Sequence, residues 1–459
     1  MSQKQDNLIV VLDIGSAYTR VLAGDLNEGA LRYRGHGTVE SAGMRKGLVS
    51  DLSPAAKAVK AANEQAEFVA RANIDSCAVG VGGPHIRGIN TNGGFELGNR
   101  MREITRDDVR TAVERARAVE RPPDREILHL LPRQFILDEQ PGIFDPVGMV
   151  GARLEVDLHI ATCSGSALQS TITCANRAGL EVTEAVLESI AAAEATLSAD
   201  ERELGVCLLD IGAHSSDLAV FFEGAVAHTA SVPIGGAHFT NDLAVGLQMP
   251  LAQAEELKRQ YGHVVVTSVP QLAEIEIHNP QPQSLRLRAI AEILEPRARE
   301  LLYFVKESLR QGAVVEALGA GCVLTGGGAM MPGMLDVTES QLRVPARTGL
   351  PVRLSHMPGE LVDPSYATAI GMLLYAHRSR VTRVRCAYKS MPMTVAKLGS
   401  TSSPGMCDRR TGNPVRAGTL NWLSATSSMP GIMAPPPVST HPAPKASTTA
   451  PWRRLSLTK

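Results

Sequence analysis

Short apolar runs of strand length, each closed by an Asp or a glycine cluster, alternate along this chain with stretches whose apolar residues recur at helical spacing. Residues 8–12 and 206–209 read as buried strands, because near-continuous apolar runs suit a sheet covered on both faces. A third run, 322–324, leads into Gly326-Gly327-Gly328. Between 84 and 160 lies a coherent insertion, in which Thr105 followed by carboxylates predicts a helix running to about Glu120. In the same insertion 127–137 and 156–163 read as strands. A further insertion spans about 234–310, where Leu251–Tyr261 has the pattern of an amphipathic helix. Residues 187–195 and 364–373 combine Ala and Gly at helical spacing and predict two helices able to pack closely.

The first two runs end alike, in Asp13-Ile14-Gly15-Ser16-Ala17 and Asp210-Ile211-Gly212-Ala213-His214-Ser215. A glycine two residues after a strand-end Asp permits an unusual φ and a close main-chain approach, so that N–H groups can face phosphate oxygens. Asp13 and Asp210 suit water-mediated Mg²⁺, which keeps most of its hydration and takes one or two carboxylates. One such loop is weak as a signal. Two copies and a bare triple-glycine backbone on which a flat ring could lie point together to a two-lobed nucleotide clamp.

In this order, phosphate loop, connecting helix, phosphate loop, adenosine loop and connecting helix resemble the actin-like ATPase superfamily. Within it the chain resembles the bacterial cell-division FtsA family through stretches that carry no generic chemistry: Gly43-Met44-Arg45-Lys46-Gly47-Leu48-Val49, His129-Leu130-Leu131-Pro132-Arg133-Gln134-Phe135, Asp145-Pro146-Val147-Gly148-Met149 and residues 200–207. The resemblance covers about residues 1–377. It implies an α/β, actin-like two-lobed ATPase fold with an FtsA-type inserted subdomain in the first lobe. The expected division is a first lobe of 1–83 with 161–194 and about 350–378, an insert of 84–160, a second lobe of 195–233 with about 311–349, its subdomain of 234–310, and a tail of 379–459.

The resemblance further implies that ATP lies between the lobes, on Gly15, Ser16 and Ala17 from one side and Gly212, Ala213, His214 and Ser215 from the other, with adenosine on Gly326, Gly327, Gly328 and Met331. Mg²⁺ is expected near Asp13 and Asp210, Glu255 and Lys258 at the ribose, and Glu188 as the residue orienting water, with Asp210 the second catalytic candidate. As partners it implies the FtsZ C-terminal tail, anchored by Arg286, Arg288 and Arg297, further copies of the chain in a filament, and other division proteins through the insert. It implies a cytoplasmic location at the inner face of the membrane. Where the family's second loop carries another glycine this chain has His214. If that position needs positive φ, His costs about one kcal/mol or more there, and retained binding with slow or absent hydrolysis is expected. The other readings, a sugar kinase or actively cycling ATPase, a chaperone ATPase, or a pilus-assembly relative, lack respectively a legible base and sugar pocket, a β domain after residue 380, and an account of the Gly43-to-Gly47 stretch.

Composition agrees. At 459 residues the chain has room for two or more domains, and a net charge of −1 with a pI near 6.9 argues against a general nucleic-acid binder. Seven scattered cysteines without a Cys-x-x-Cys pair read as reduced core residues. A polar N-terminus leading straight into a strand reads as no signal peptide, and no apolar segment reaches the roughly 18 residues a spanning helix needs. From 380 onward twelve Lys or Arg face one acidic residue, Asp408, amid Ser, Thr and Pro. Such a basic segment of low hydrophobicity predicts disorder. It lacks a legible form of the amphipathic membrane helix that ends the family's members, although its charge suits anionic lipid. The abrupt change reads either as a tail particular to this lineage or as a frameshift near 380.

Overall fold

The computed structural model describes residues 8–387 except 28, 99, 119–121 and 279–281. The basic tail beyond Ala387, including Trp422 and Trp452, lies outside the described residues.

Two five-stranded sheets repeat one design. In the first, Leu8–Ile14 pairs antiparallel with Tyr18–Asn27, which pairs antiparallel with Ala30–Glu40; on its other side Leu8–Ile14 runs parallel to Ser76–Val81, and that strand parallel to Glu181–Leu187. In the second, Val206–Ile211 takes the central place, with Ser216–Phe222 and Ala225–Val232 antiparallel on one side and Gly321–Thr325 and Ala346–Thr348 parallel on the other. Both central strands are covered on both faces, which explains their unbroken apolar runs. Val10 and Leu12 pack beneath the helix Leu52–Ala70, whereas Ile9 and Val11 face the connecting helices. Val206 and Leu208 reach the same connecting-helix core from the second lobe, and Cys207, Leu209 and Ile211 face that lobe's own helices.

The connecting helices, Glu188–Thr196 and Ala367–Ala387, therefore form a layer between the two sheets. Their crossing depends on glycine: a Cβ on Gly371 would lie 1.7 Å from the Ala191 carbonyl oxygen. The second of them starts after a single 3₁₀ turn at Pro364–Tyr366 and runs past residue 379, where the composition changes.

The insert is a four-stranded antiparallel sheet, Gln140–Ile143, Arg125–Leu137, Arg153–Ser164 and Arg87–Glu96, covered by the helix Arg106–Arg117. Thr105 caps that helix, exchanging bonds with Asp108, whose carboxylate Arg102 forks at 2.6 and 2.7 Å. The strand Arg87–Glu96 escapes notice in the sequence because its glycines serve packing: a Cβ on Gly93 would lie 2.4 Å from the Ala116 nitrogen. The insert also reaches the second lobe. His159, fully buried, bonds Asn90 through Nδ1 at 2.6 Å and Thr229 through Nε2 at 2.9 Å, and the Asn90 amide donates to the Ala227 carbonyl at 3.0 Å. The second lobe adds the helices Gly236–Gly246, Leu251–Tyr261 and Leu287–Gln311 around a small hairpin, Glu274–His278 with Pro282–Arg286. Among the described residues no helix is long and apolar enough to cross a membrane.

Candidate functional site in the interlobe cleft

Each phosphate-type loop turns directly off its central strand. Gly15 is needed for proximity: a Cβ there would lie 2.8 Å from the Tyr18 carbonyl oxygen, and at Gly212 it would lie 3.0 Å from that of Ser215. Neither glycine adopts positive φ, so close approach is the reason for glycine at both places. His214 has no positive φ either, and the expected strain is absent. The first loop is tied down by the Ser41 hydroxyl, which donates to the Gly15 carbonyl at 2.6 Å. The second is tied to the start of the helix Gly236–Gly246: the Gly236 and Ala237 N–H groups donate to Gly212 and Ala213 at 2.9 and 2.7 Å.

Between the loops lie four carboxylates. Asp13 is buried, with Arg20 at 3.6 Å; Asp210 accepts from the Thr368 hydroxyl at 2.6 Å. Glu188 projects from the first turn of its helix towards Gly82, where a Cβ would lie 2.0 Å from Oε2. The fourth, Asp217, accepts from the Gly83 N–H at 3.1 Å and the Ser215 hydroxyl at 3.2 Å. It was not among the sequence candidates. Its signal was an Asp inside the apolar strand Ser216–Phe222, which needs a buried partner. Desolvation dominates all four. It raises Asp13 against the opposing pull of Arg20, raises Asp217, and pushes Asp210 up to about 7. Glu188 is held well above the usual carboxylate range by burial and by the negative charges of Asp13, Asp217 and Asp210. Such a cluster calls for cationic charge. Among the described residues no three acidic, His or Cys side chains converge tightly enough to ligate a metal directly.

The third glycine cluster closes over Asp210. Gly326 has φ +83, its N–H donates to the Pro364 carbonyl at 3.1 Å, and a Cβ there would lie 2.2 Å from Asp210 Oδ1. At Gly328 a Cβ would meet the Ile211 side chain at 2.4 Å, while Gly327 meets only Ser365, at 4.0 Å. Gly327 therefore offers the bare surface, and Met331 packs partly against the second-lobe core. Glu255 and Lys258 form a 2.6 Å ion pair beside the second loop, with Lys258 Nζ also donating to the Gly236 carbonyl at 3.0 Å and to Thr240 at 2.8 Å. Arg259, bonded to Glu255 at 2.9 Å, donates across the cleft to the Tyr18 hydroxyl at 3.5 Å. Asp13, Asp210 and Glu188 thus lie close enough to influence one another, with Gly326 over Asp210 and Lys258 bonded to the helix start beside the second loop.

Comparison with known proteins is specific. The family model described as the SHS2 domain inserted in FtsA matches residues 83–162, and that of cell division protein FtsA matches 207–371. Cell division protein FtsA of Pseudomonas aeruginosa is 36% identical over 378 residues, covering 82% of this chain and 90% of its own. That of Bacillus subtilis is 34% identical, covering 87% and 90%. The chain belongs to the FtsA family of cell division proteins. Among solved structures, a chain of the PilM–PilN type IV pilus biogenesis complex superposes with TM-score 0.57 at 18% identity, over 80% of this chain and 98% of that one. The likeness is one of fold, and this chain has the two-lobed actin-like architecture with the SHS2 insert.

The three arginines of the second lobe do not form one patch of equals. Arg297 is engaged within the molecule, forking Asp242 at 2.6 and 2.9 Å and meeting Glu300. Arg288 lies 3.6 Å from Glu292 one helical turn on, and Arg286 is exposed at the hairpin end. A helical Arg near acidic neighbours at i+3 or i+4 is legible in sequence; the Asp242 partner, 55 residues away, is not.

Proposed function

We propose that the chain is an ATP-binding, actin-like cell-division adaptor that polymerises, binds the FtsZ C-terminal tail, links the FtsZ ring to the inner face of the cytoplasmic membrane and recruits later division proteins. The observation that carries the nucleotide part is the pair of like loops on like sheets, with four carboxylates between them, Asp13 and Asp217 buried and Asp210 and Glu188 partly so. A polyanion with a hydrated Mg²⁺ fits both features: the loops supply backbone N–H groups, and the metal would answer the carboxylates' unmet charge. Asp13 and Asp210 would hold the metal's water shell, Gly15–Ala17 and Gly212–Ser215 the phosphates, Gly327 the base, and Glu255 with Lys258 the ribose. A ligand gripped by both lobes favours their closure by the difference in its contacts between open and closed states. Closure would set the subunit shape for filament growth.

Glu188 is the candidate to orient water, and burial with the negative charges of Asp13, Asp217 and Asp210 holds its carboxyl well above the usual carboxylate range, which disfavours it as an acceptor of water's proton. Binding with weak or no hydrolysis follows. For the FtsZ tail, an acidic and apolar peptide in this family, exposed Arg286 and half-buried Arg288 are better placed than Arg297, because their guanidinium groups are less committed. The test is calorimetry with Mg-ATP on the full chain with phosphate release followed on the same sample, then co-pelleting with FtsZ filaments. Tight binding, negligible release and co-pelleting weakened by Arg286→Glu support the reading. Absence of nucleotide binding would refute it.

A further inference from the structure

The second connecting helix reaches into the cleft through one side chain. Thr368, the second residue of Ala367–Ala387 and 9% exposed, donates its hydroxyl to Asp210 Oδ2 at 2.6 Å, across 158 residues of sequence. A helical Thr ordinarily turns its hydroxyl onto the carbonyl four residues back. Here that carbonyl belongs to Pro364, and it already accepts the Gly326 N–H at 3.1 Å and the Ala367 N–H. The hydroxyl of Thr325, the residue registered with Asp210 on the neighbouring strand, lies 3.1 Å from it as well. The Thr368 proton is thereby directed to Asp210.

This bond fixes a carboxylate without neutralising it. Asp13 lies 3.6 Å from the Arg20 guanidinium, which answers part of its charge. A hydroxyl is a neutral donor and leaves an ionised Asp210 its whole negative charge. An ionised carboxylate offers about four lone-pair sites, and among the described residues the Thr368 hydroxyl is the one side-chain donor to Asp210. The other oxygen, Oδ1, lies against bare backbone, since a Cβ on Gly326 would stand 2.2 Å from it. The hydroxyl also comes from a rigid base. One turn further along the same helix, Gly371 seats it against the Ala191 carbonyl, where a Cβ would lie 1.7 Å from the oxygen.

We propose that Thr368 is a positioning residue for the metal that accompanies the nucleotide: its hydroxyl fixes the Asp210 carboxylate that holds the metal's water shell. The proposal rests on the nucleotide reading above and deepens it. A carboxylate that meets Mg²⁺ through water must suit the geometry of an octahedral shell it does not itself complete, so its orientation has to be set beforehand by the protein. Hydrogen bonds that orient a metal's carboxylates are worth roughly 10- to 100-fold in metal affinity.

The experiment is calorimetric binding of ATP, in Mg²⁺ and in EDTA, to the full-length wild type, Thr368→Val, Thr368→Ala and Thr368→Ser, with thermal unfolding of each protein alone. Val keeps the volume of Thr and removes the donor. Ala removes it with a good helix former and serves if Thr368→Val is not folded, and Ser restores the hydroxyl. The quantity read is the ratio of ATP affinity with Mg²⁺ to that without. The expected result is a ratio lowered about fivefold or more in Thr368→Val and Thr368→Ala and returned to within about twofold of wild type in Thr368→Ser, with affinity in EDTA unchanged. A lower melting temperature with an unaltered ratio, equal losses in Mg²⁺ and EDTA, or no recovery in Thr368→Ser assigns Thr368 to the fold alone and overturns the proposal. A wild type indifferent to Mg²⁺ also overturns it while leaving nucleotide binding intact. A wild type that binds ATP in neither condition overturns both readings.

Discussion

Gly371→Ala tests whether the two connecting helices cross as tightly as the geometry requires. The added Cβ would sit 1.7 Å from the Ala191 carbonyl oxygen and 2.4 Å from its carbon, whereas ordinary contact begins at 3.4 Å. Along the line of contact the backbones must therefore part by about 1.7 Å, a distance set by the overlap with the carbonyl oxygen. No side chain can swing aside, since the obstacle is main chain, and both helices are held by sheets on either side. Overpacking typically costs about 1–3 kcal/mol, and backbone obstruction belongs at the upper end. With roughly 2–4 °C of Tm per kcal/mol for a domain of 150–250 residues, the expected fall is about 5 °C or more, measured by differential scanning fluorimetry. Gly359→Ala is the control, because no atom lies within 4 Å of its Cβ position and its φ is not positive. A Gly371→Ala protein melting within about a degree of wild type would refute the close crossing.

Gly327→Ala should leave Tm unchanged, since only Ser365 comes within 4.0 Å, yet weaken adenine-nucleotide binding several-fold by calorimetry; unaltered affinity would remove Gly327 from the base site. Burial pushes His129 down to about 4, so the folded state keeps it neutral while the unfolded chain protonates near 6.5. Its contribution is thus complete above pH 6.5 and lost on acidification towards pH 4. Against His129→Gln, wild type should lose about 2 kcal/mol between pH 7 and 5 in urea titrations. The paired comparison removes the cleft carboxylates, whose raised values act in the opposite sense, and a pH-independent difference would contradict the burial. Arg297→Glu should destabilise the second lobe by about 1–3 kcal/mol through loss of the fork to Asp242, visible as a lower Tm in the absence of any partner.

Both strand-end Asp-x-Gly turns were legible because their determinants are local: an apolar run, a strand-end Asp and a glycine within five residues. The same holds for the Thr105 cap and for the small-residue helices, whose Ala and Gly positions announce close packing before a partner is known. What escaped notice depends on distant chain. Asp217 gains its meaning from Gly83, 134 residues away, and Gly80 and Gly82 from the Glu188 side chain they admit. The strand Arg87–Glu96 carries glycines and asparagines that argue against a strand until the helix and the second lobe they pack on are in place. Arg297 shows the converse, a residue whose surface-like pattern conceals a committed partner across 55 positions.

The seam between the insert and the second lobe bears on the order in which the molecule is built during synthesis. Strands 87–96 and 153–164 leave the ribosome well before Ala225–Val232, yet His159 Nε2 finds its partner only in Thr229, 70 residues downstream. Until that strand arrives, His159 Nε2 and the Asn90 amide lack their protein partners, and a buried polar group left so costs about 1–3 kcal/mol. Domains generally mature from the N-terminus as they emerge. Here the subdomain inserted early in the chain reaches its final packing only once Ala225–Val232 of the second lobe has been made.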